Sequence, residues 1–274
     1  MNAELPIGIF DSGMGGLTVV RQINRVLPRE DLIYLGDTAR VPYGTKSPST
    51  VVRFACEDTL FLVQQHVKAV VVACNTASAW ALPTLERKFK VPIFGVILPG
   101  AQAALKRTRN GRIGVIGTAT TIRSQAYGRA ILARDGSARV VARACPLLVP
   151  LVEEGWTNHE VTRTVLATYL EPLLRRGIDT LVLGCTHYPL LKHAIRRIAG
   201  KAVALVDSAE SCALFLSERL DAAKLLACNR RRKGVIQPFV TDEAERFSEL
   251  SKRFLGIPTE PASKVTLPAF AGRL

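Results

Sequence analysis

The sequence predicts an α/β fold of two similar domains, each with a largely parallel sheet, related by a pseudo-twofold axis and facing each other across a cleft. Short β-branched apolar runs alternate with helical patterns through most of the chain, which is typical of parallel sheets covered by helices. The 274 residues suffice for two domains of ordinary size, each with its own core. Segments of the first half also recur in the second.

The internal repeat consists of three segment pairs at nearly constant offsets. IGIFDSGMGG, from Ile7, resembles IGVIGTATTI, from Ile113, and both AVVVACNT and TLVLGCTH place a cysteine at the end of an apolar run. IFGVI follows in the first half where VALVD follows in the second. Three pairs in the same order indicate a duplicated domain. Cys74 and Cys185 then occupy equivalent positions.

The individual elements follow from the same alternation of patterns. Strands are predicted at residues 7–10, 32–37, 69–74, 93–97, 112–117, 138–144, 180–185 and 203–207. Helices are predicted at 17–27, 49–67, 77–89, 161–175, 190–199 and 209–222. A final strand and helix are predicted within FVTDEAERFSELSKRFLG.

The chain is expected to cross between the domains near 98–100 and again near 207–208. The first domain then comprises residues 1–98, and the second comprises 99–207. The remaining segment, 208–274, is predicted to return to the first domain and complete it.

Composition places the chain among globular proteins, since 48% of its residues are hydrophobic and 22% are charged. The opening MNAELPIGIF lacks the basic start and long apolar core of a signal peptide. Apolar runs such as AVVVAC are far shorter than the roughly 20 residues that span a bilayer. We therefore expect a cytoplasmic protein with no membrane contact.

The formal net charge of +14 raises the question of a polyanionic partner. The basic residues, however, fall in short dispersed runs, of which 230–233 is one, without interleaved aromatic residues or a nucleic-acid-binding motif. This pattern argues against a nucleic-acid partner. It predicts a solvated basic surface, with an exposed loop at 230–233.

Six cysteines are spread along the chain without the CxxC spacing of a zinc site or a redox pair. No metal site is predicted, and in a reducing compartment the thiols are expected to be free. The ordinary interpretation of a free cysteine is a small structural side chain. We apply it to Cys56, Cys145, Cys212 and Cys228.

Four polar motifs follow predicted strands: DSG at 11–13, CNT at 74–76, TATT at 118–121 and CTH at 185–187. Ligands of open parallel sheets bind beyond the carboxyl ends of the strands, where loops and helix N-termini converge. The four motifs therefore predict a binding site in the cleft.

Cys74 and Cys185 each lie between a strand and a helix, where exposed helix N–H groups favour a thiolate. From a reference pKa of about 8.5, a helix terminus alone is too weak to half-ionise a thiol at neutral pH. His187 is a candidate to assist Cys185, and Asp11 a candidate base or proton relay beside Cys74. Two opposed thiols suit the inversion of a stereocentre, which needs a base on one face of a carbon and an acid on the other.

Ordinary roles stay open for several of these residues. Asp11 could cap the helix that begins near Gly16, and His187 could bond only to backbone. Glu153, next to Glu154, could be a solvated charge. DSGMGG superficially suggests nucleotide binding, but it lacks the full GxGxxG spacing.

Six segments together carry a resemblance to a known family: FDSGMGG, DTARVPYG, ACNTAS, LVPLVEEG, GCTHYPLL and TDEAERF. In this order, and over essentially the whole chain, they resemble the motifs of the glutamate racemase family, and the two thiol motifs are the most specific. The resemblance implies two α/β domains that enclose glutamate without a cofactor. It also implies a homodimer that supplies D-glutamate for peptidoglycan.

The same resemblance implies roles for individual residues. Cys74 and Cys185 would be the alternating acid and base, with Asp11, Glu153 and His187 assisting proton transfer. Substrate contacts are implied for Asp11, Ser12, Tyr43, Gly44, Asn75, Thr76, Thr118, Thr121, Thr186 and His187. Leu98 departs from the pattern, because an acidic residue is expected there, and this puts a local contact in doubt.

Two other functions stay open. A racemase of aspartate or a related amino acid would share the paired thiols and differ in the length and polarity of its cleft. A non-catalytic two-lobed protein that binds a small molecule would not need them.

Overall fold

The computed structural model describes residues 2–228, 232–257 and 259–270. Arg230 and Arg231, in the predicted basic loop, lie outside these ranges. The described residues form two separate parallel sheets, each with its own helices. The predicted α/β fold with two parallel-sheet domains is confirmed.

Strands and helices alternate along most of the chain. In order, they are β1 (Ile7–Asp11), α1 (Leu17–Val26), β2 (Leu32–Gly36), α2 (Pro48–Gln64), β3 (Ala69–Val72), α3 (Asn75–Trp80), α4 (Leu82–Lys88), β4 (Ile93–Gly95), α5 (Ile97–Arg107), β5 (Arg112–Gly117), α6 (Ala119–Arg123), α7 (Ala126–Leu132), β6 (Arg139–Ala144), α8 (Leu148–Glu153), α9 (Glu160–Leu174), β7 (Thr180–Gly184), α10 (Lys192–Ala199), β8 (Ala204–Asp207), α11 (Ser208–Ala222), β9 (Ile236–Val240), α12 (Ala244–Leu255) and β10 (Ser263–Lys264). Short 3-10 turns lie at Thr38–Arg40, Tyr43–Thr45 and Tyr188–Leu191.

The two sheets share one strand order, as the internal repeat predicts. The first sheet runs β10-β9-β2-β1-β3-β4 and the second runs β6-β5-β7-β8. Within them, β2-β1-β3-β4 corresponds to β6-β5-β7-β8, and every pairing is parallel. The two cysteine motifs follow β3 and β7, which are equivalent strands. Cys74 and Cys185 therefore lie at matching strand ends.

The central strands are apolar because helices cover both faces of each sheet. Every residue of β1, β2, β3 and β7 is buried. β-branched and other apolar side chains suit a parallel strand in this position. β6, at an edge of the second sheet, is only partly buried. The apolar cores on the two sides of the strands hold each sheet in place. The packed sheets thereby hold the loops at the strand ends in position.

Several helices differ from the predicted ones, and α6, α7 and α8 lie where no helix is predicted. The helix predicted at 77–89 is divided into α3 and α4, which meet at Ala81. Pro83, in the first turn of α4, has no backbone N–H and disfavours continuation of the preceding helix. α5 lies where only a connection between domains is predicted. Its Pro99 occupies the first helical turn, where a proline removes no intrahelical hydrogen bond.

The C-terminal segment returns to the first sheet. β9 pairs with β2, with Ile236 opposite Leu32, and β10 extends the sheet beyond β9. α12 packs against α1, and α11 packs against both α1 and α5. The domain borders at 98 and 208 stay predictions. Leu98 itself lies within α5, which packs against α7 and the second sheet.

Among the helices of the described ranges, none combines the length and the apolar character needed to cross a bilayer.

Candidate active site

The carboxyl ends of the two sheets converge on a small cavity. Its lining comes from both domains and consists of Ser12, Val41, Pro42, Tyr43, Gly44, Cys74, Asn75, Thr76, Thr118, Val149, Cys185, Thr186 and His187. The cavity measures about 30 Å³, which is close to the share of one water molecule in the liquid. A larger cavity of about 200 Å³ between α5 and α11 contains neither of these thiols. The small cavity therefore brings the two thiols together, whereas the larger one does not.

Cys74 lies at the N-terminus of α3 with its thiol almost fully buried. Its Sγ is 3.8 Å from the Ser12 hydroxyl oxygen. Burial, followed by the negative charge of Asp11, raises the pKa of Cys74 to about 12, although the N–H of Ala77 and the Ser12 hydroxyl act in the opposite direction. The helix terminus favours a thiolate as expected, but burial outweighs it. Cys74 is a protonated thiol at neutral pH.

Asp11, the last residue of β1, is fully buried between the two domains. Its carboxylate accepts from the N–H of Gly13 at 3.2 Å and from the hydroxyl of Thr186 at 3.4 Å. Burial raises the pKa of Asp11, and the nearby His187 partly offsets that rise. The backbone of Gly16, the N-cap residue of α1, also hydrogen-bonds to Asp11, so the alternative role of Asp11 at the start of this helix stays open.

Cys185 belongs to a chain of three side chains from the second domain. Its Sγ is 3.9 Å from Nδ1 of His187, and Nε2 of His187 is 3.0 Å from Oε1 of Glu153. Burial alone would lower the pKa of His187, but hydrogen bonds to Cys185 and Glu153 outweigh it and raise the pKa to about 10. At neutral pH the ring is an imidazolium that donates to both partners. Glu153 is the last residue of α8, and its side chain is 29% exposed. It connects the hydrogen-bonded series of Cys185, His187 and Glu153 to solvent.

The glycine-rich turn after β1 serves close packing. A β-carbon on Gly15 would lie 2.5 Å from the His187 ring and 2.4 Å from the Thr186 hydroxyl. One on Gly16 would lie 2.4 Å from Cβ of Asp11. Side chains at these positions would displace the groups around both thiols. Close packing therefore accounts for the glycines of this turn, and a nucleotide-binding role is not needed to explain them.

Three threonine hydroxyls form a triangle across the domain boundary. The Oγ1 atoms of Thr76, Thr118 and Thr121 are each 2.9 Å from the other two. Thr118 also caps α6 by accepting from the N–H of Thr121. Each hydroxyl carries one hydrogen that can rotate toward a ligand, so the triangle can present three donors to a carboxylate.

Asn75 and Tyr43 reach the cavity, but their polar groups have other partners. The Asn75 side chain accepts from the Tyr127 hydroxyl at 2.7 Å and donates to Ser208 at 3.4 Å. The Tyr43 hydroxyl is bonded to Asp37 and Asp58. The Asn75 amide and the Tyr43 hydroxyl could contact a ligand directly only by giving up these hydrogen bonds. The backbone groups of the two residues do not take part in these bonds.

Gly44 touches the second domain. A β-carbon there would lie 2.7 Å from Cβ of Thr118, and its carbonyl accepts from the Thr120 hydroxyl at 2.8 Å. The two domains thus meet closely at this point, and only glycine leaves the necessary space.

Sequence reasoning misses several contributors to this site. Val41, Pro42 and Val149 line the cavity, and Phe254 of α12 contacts the edge of His187 with ring centroids 5.5 Å apart. Apolar lining residues carry no chemical signal, and Phe254 lies outside the four polar motifs that predict the site. Their roles become visible only when the chain is folded.

The remaining predicted residues lie away from the cavity. Cys56, Cys145 and Cys212 are buried, as the structural interpretation requires, whereas Cys228 is exposed. Leu98 is half-buried in the first turn of α5.

Comparisons with known proteins point to one family. The profile of the Asp/Glu/hydantoin racemase family matches residues 7–215. A glutamate racemase from Geobacter metallireducens is 53% identical over 263 residues, covering 96% of this chain and 97% of that protein. The structure of a glutamate racemase isoform from Bacillus anthracis matches with a TM-score of 0.94 at 41% identity, covering 98% of this chain and 100% of that one. The structure of the Francisella tularensis glutamate racemase in complex with D-glutamate gives 0.89 at 37% identity, with coverages of 98% and 100%. The chain therefore belongs to the Asp/Glu/hydantoin racemase family.

Proposed function

We propose that this protein is a glutamate racemase that interconverts L-glutamate and D-glutamate by proton transfer at Cα. The observation that carries the proposal is the placement of two buried thiols, Cys74 and Cys185, from different domains around one cavity. Relatives that match along nearly their whole length are glutamate racemases, and one of their structures holds D-glutamate.

The surroundings of the thiols support different starting roles for the two residues. Cys74 is the acid, because burial and the charge of Asp11 raise its pKa to about 12. Cys185 is the base, and the His187 ring, with Nδ1 3.9 Å from its sulfur, assists its proton transfer. Glu153 in turn stabilises the imidazolium. The resting enzyme is thus poised to react with L-glutamate.

Racemisation exchanges these states. The Cys185 thiolate takes the α-proton of L-glutamate, and Cys74 gives its proton to the opposite face of the same carbon. The products are D-glutamate, a Cys185 thiol and a Cys74 thiolate, from which D-glutamate reacts in the reverse direction. Asp11, a buried carboxyl with a raised pKa, is placed to help return a proton to Cys74.

Substrate binding uses the hydroxyl and amide groups of the cavity. Donors to the α-carboxylate stabilise the charge that develops when Cα loses its proton. The triangle of Thr76, Thr118 and Thr121 supplies three such hydroxyls at one place. Further contacts come from Asp11, Ser12, Tyr43, Gly44, Asn75, Thr186 and His187.

The cellular role completes the proposal. The enzyme acts as a homodimer in the cytoplasm, requires neither metal nor coenzyme, and supplies D-glutamate for peptidoglycan. Dialysis against a chelator should accordingly leave the rate unchanged. Activity that is lost to the chelator and restored by a metal would contradict this part.

The decisive experiment is incubation of the purified protein with L-glutamate in deuterated water, followed by chiral chromatography and NMR at low conversion. We expect D-glutamate that carries deuterium at Cα, because the donating thiol has exchanged with solvent. The remaining L-glutamate should stay largely protiated. Protium in the product would exclude two separate thiols. Turnover of L-aspartate without turnover of L-glutamate would assign a different substrate.

A further inference from the structure

A buried cluster of charges lies behind the Tyr43 side of the cavity. Asp37 and Asp58 are fully buried, and Arg40 bonds to both of them, at 2.7 Å and 3.1 Å, and also to Glu57. One guanidinium cannot neutralise three carboxylates, two of which have no contact with water. Such a cluster favours the uptake of one additional proton.

The hydroxyl of Tyr43 indicates which carboxyl group holds this proton. Its oxygen is within hydrogen-bonding distance of Asp37 Oδ2 and lies 2.8 Å from Asp58 Oδ2. A phenol has one hydrogen and can donate to one of them only, so the other must donate to the phenol. Asp37 already accepts from Arg40 and from the Thr241 hydroxyl at 3.0 Å. Because Arg40 also bonds to Asp58, the Thr241 hydroxyl is the additional donor that distinguishes Asp37 as the acceptor, which leaves Asp58 as the donor to the phenol.

We infer that Asp58 is a protonated carboxylic acid which donates to Tyr43, that Tyr43 donates to the Asp37 carboxylate, and that this chain of hydrogen bonds positions the Tyr43–Gly44 segment at the substrate cavity. Burial, followed by the charge of Asp37, raises the pKa of Asp58 well above its usual range. Among the groups that face Asp58, the carboxylates of Asp37 and Glu57 favour its neutral form, whereas Arg40 and Tyr43 oppose it.

The chain of hydrogen bonds acts on the site through Gly44, the next residue after Tyr43. Gly44 packs against Thr118 and accepts from Thr120, so a shift of Tyr43 would move this point of contact between the domains. Asp58 does not line the cavity and reaches it through its hydrogen bond with Tyr43, so it is a positioning residue. The effect on substrate binding rests on the proposed function, but the protonation of Asp58 does not.

The first test measures protonation without substrate. Infrared spectra of the wild type and of Asp58→Asn are compared at slightly alkaline pH, where ordinary carboxyl groups are ionised. We expect the wild type to show a carboxylic acid band that is absent from Asp58→Asn. Identical spectra in the carboxylic acid region would overturn the inference.

The second test separates the role of the proton from that of the charge. In Asp58→Asn the amide N–H can donate to Tyr43 as the carboxylic acid does, whereas Asp58→Leu has no donor. We expect Asp58→Leu to raise the KM for L-glutamate roughly tenfold with a change in kcat below about threefold, and Asp58→Asn to restore the KM to within about twofold. An Asp58→Asn enzyme with a KM as high as that of Asp58→Leu would overturn the inference.

Two controls keep the result interpretable. Asp37→Asn removes the anion that accepts from Tyr43, so its KM should rise even if Asp58→Leu fails to fold. Equal KM values for Asp37→Asn and Asp58→Asn would overturn the assignment of the proton. A wild type without racemase activity would contradict the proposed function, and the infrared comparison would still decide the state of Asp58.

Discussion

Gly15 of the first domain lies so close to His187 of the second that a β-carbon added to it would be 2.5 Å from Nδ1 of the ring. The same β-carbon would be 2.4 Å from the Thr186 hydroxyl. Real side chains never approach this closely, so backbone alone fits between the turn after β1 and the second thiol motif. The glycine-rich turn thereby fixes the position of the imidazolium that serves Cys185.

Gly15→Ala should therefore impair both catalysis and stability. Accommodating the methyl group requires His187 or Thr186 to move, which costs about 1–3 kcal/mol of folding free energy. Displacement of a catalytic group by a fraction of an ångström to an ångström should lower kcat by at least about tenfold. Steady-state kinetics and urea unfolding measure the two effects.

Gly128→Ala is the matched control, because no atom lies within 4 Å of a β-carbon at that position in α7. This variant should keep wild-type kinetics and gain roughly 0.5–1 kcal/mol of stability from the higher helix propensity of alanine. A Gly15→Ala enzyme as active as Gly128→Ala would show that His187 tolerates displacement.

Cys74→Ser and Cys185→Ser should each abolish racemisation, since a serine hydroxyl is a far poorer acid and base near neutral pH than a thiol. Cys228→Ser, at the exposed cysteine, should keep full activity. Melting temperatures of all three variants identify any loss that results from unfolding. A folded Cys74→Ser or Cys185→Ser enzyme with near-wild-type turnover would remove that thiol from the mechanism.

Glu153→Gln should lower the pKa of His187, because the carboxylate that accepts from Nε2 is one cause of the raised value. The ring then loses its proton at lower pH, so activity should decline earlier on the alkaline side, and kcat should fall about tenfold. The pH dependence of kcat tests this.

Glu154→Gln provides the comparison for this variant. Glu154 adjoins Glu153 and is exposed. Its substitution by glutamine removes the same charge from the protein as Glu153→Gln does. It should leave the pH profile unchanged. Equal shifts in both variants would indicate a general charge effect with no specific role for Glu153.

The stability contributed by His187 should depend on pH. Its folded-state pKa of about 10 is above the ordinary value of 6.5, so protonation of the ring stabilises the folded state. That contribution is complete below about pH 6.5 and is lost as the pH rises through about 10. The difference in unfolding free energy between the wild type and His187→Gln should therefore be largest at low pH. A difference that is constant across this range would contradict a raised pKa.

Local patterns were sufficient to predict the architecture and the motifs of the site. Alternating strand and helix signals identify the β1–β8 strands to within a few residues, since a strand buried on both faces is apolar along its own length. The repeat places Cys74 and Cys185 at equivalent strand ends, where the carboxyl ends of parallel strands gather. Helix borders are less certain, because prolines such as Pro83 and Pro99 have different effects at different positions within a turn.

The sequence by itself thus determined the fold class, the placement of two thiols at equivalent strand ends and the family of motifs around them, because each of these depends on neighbours in the chain. Only the tertiary structure decided which groups are charged and where each polar side chain points. Cys74 is protonated because residues far apart in sequence exclude water from it. The Tyr43 hydroxyl is likewise buried and forms hydrogen bonds with Asp37 and Asp58. A buried polar group bonds to the polar side chains that the fold places beside it.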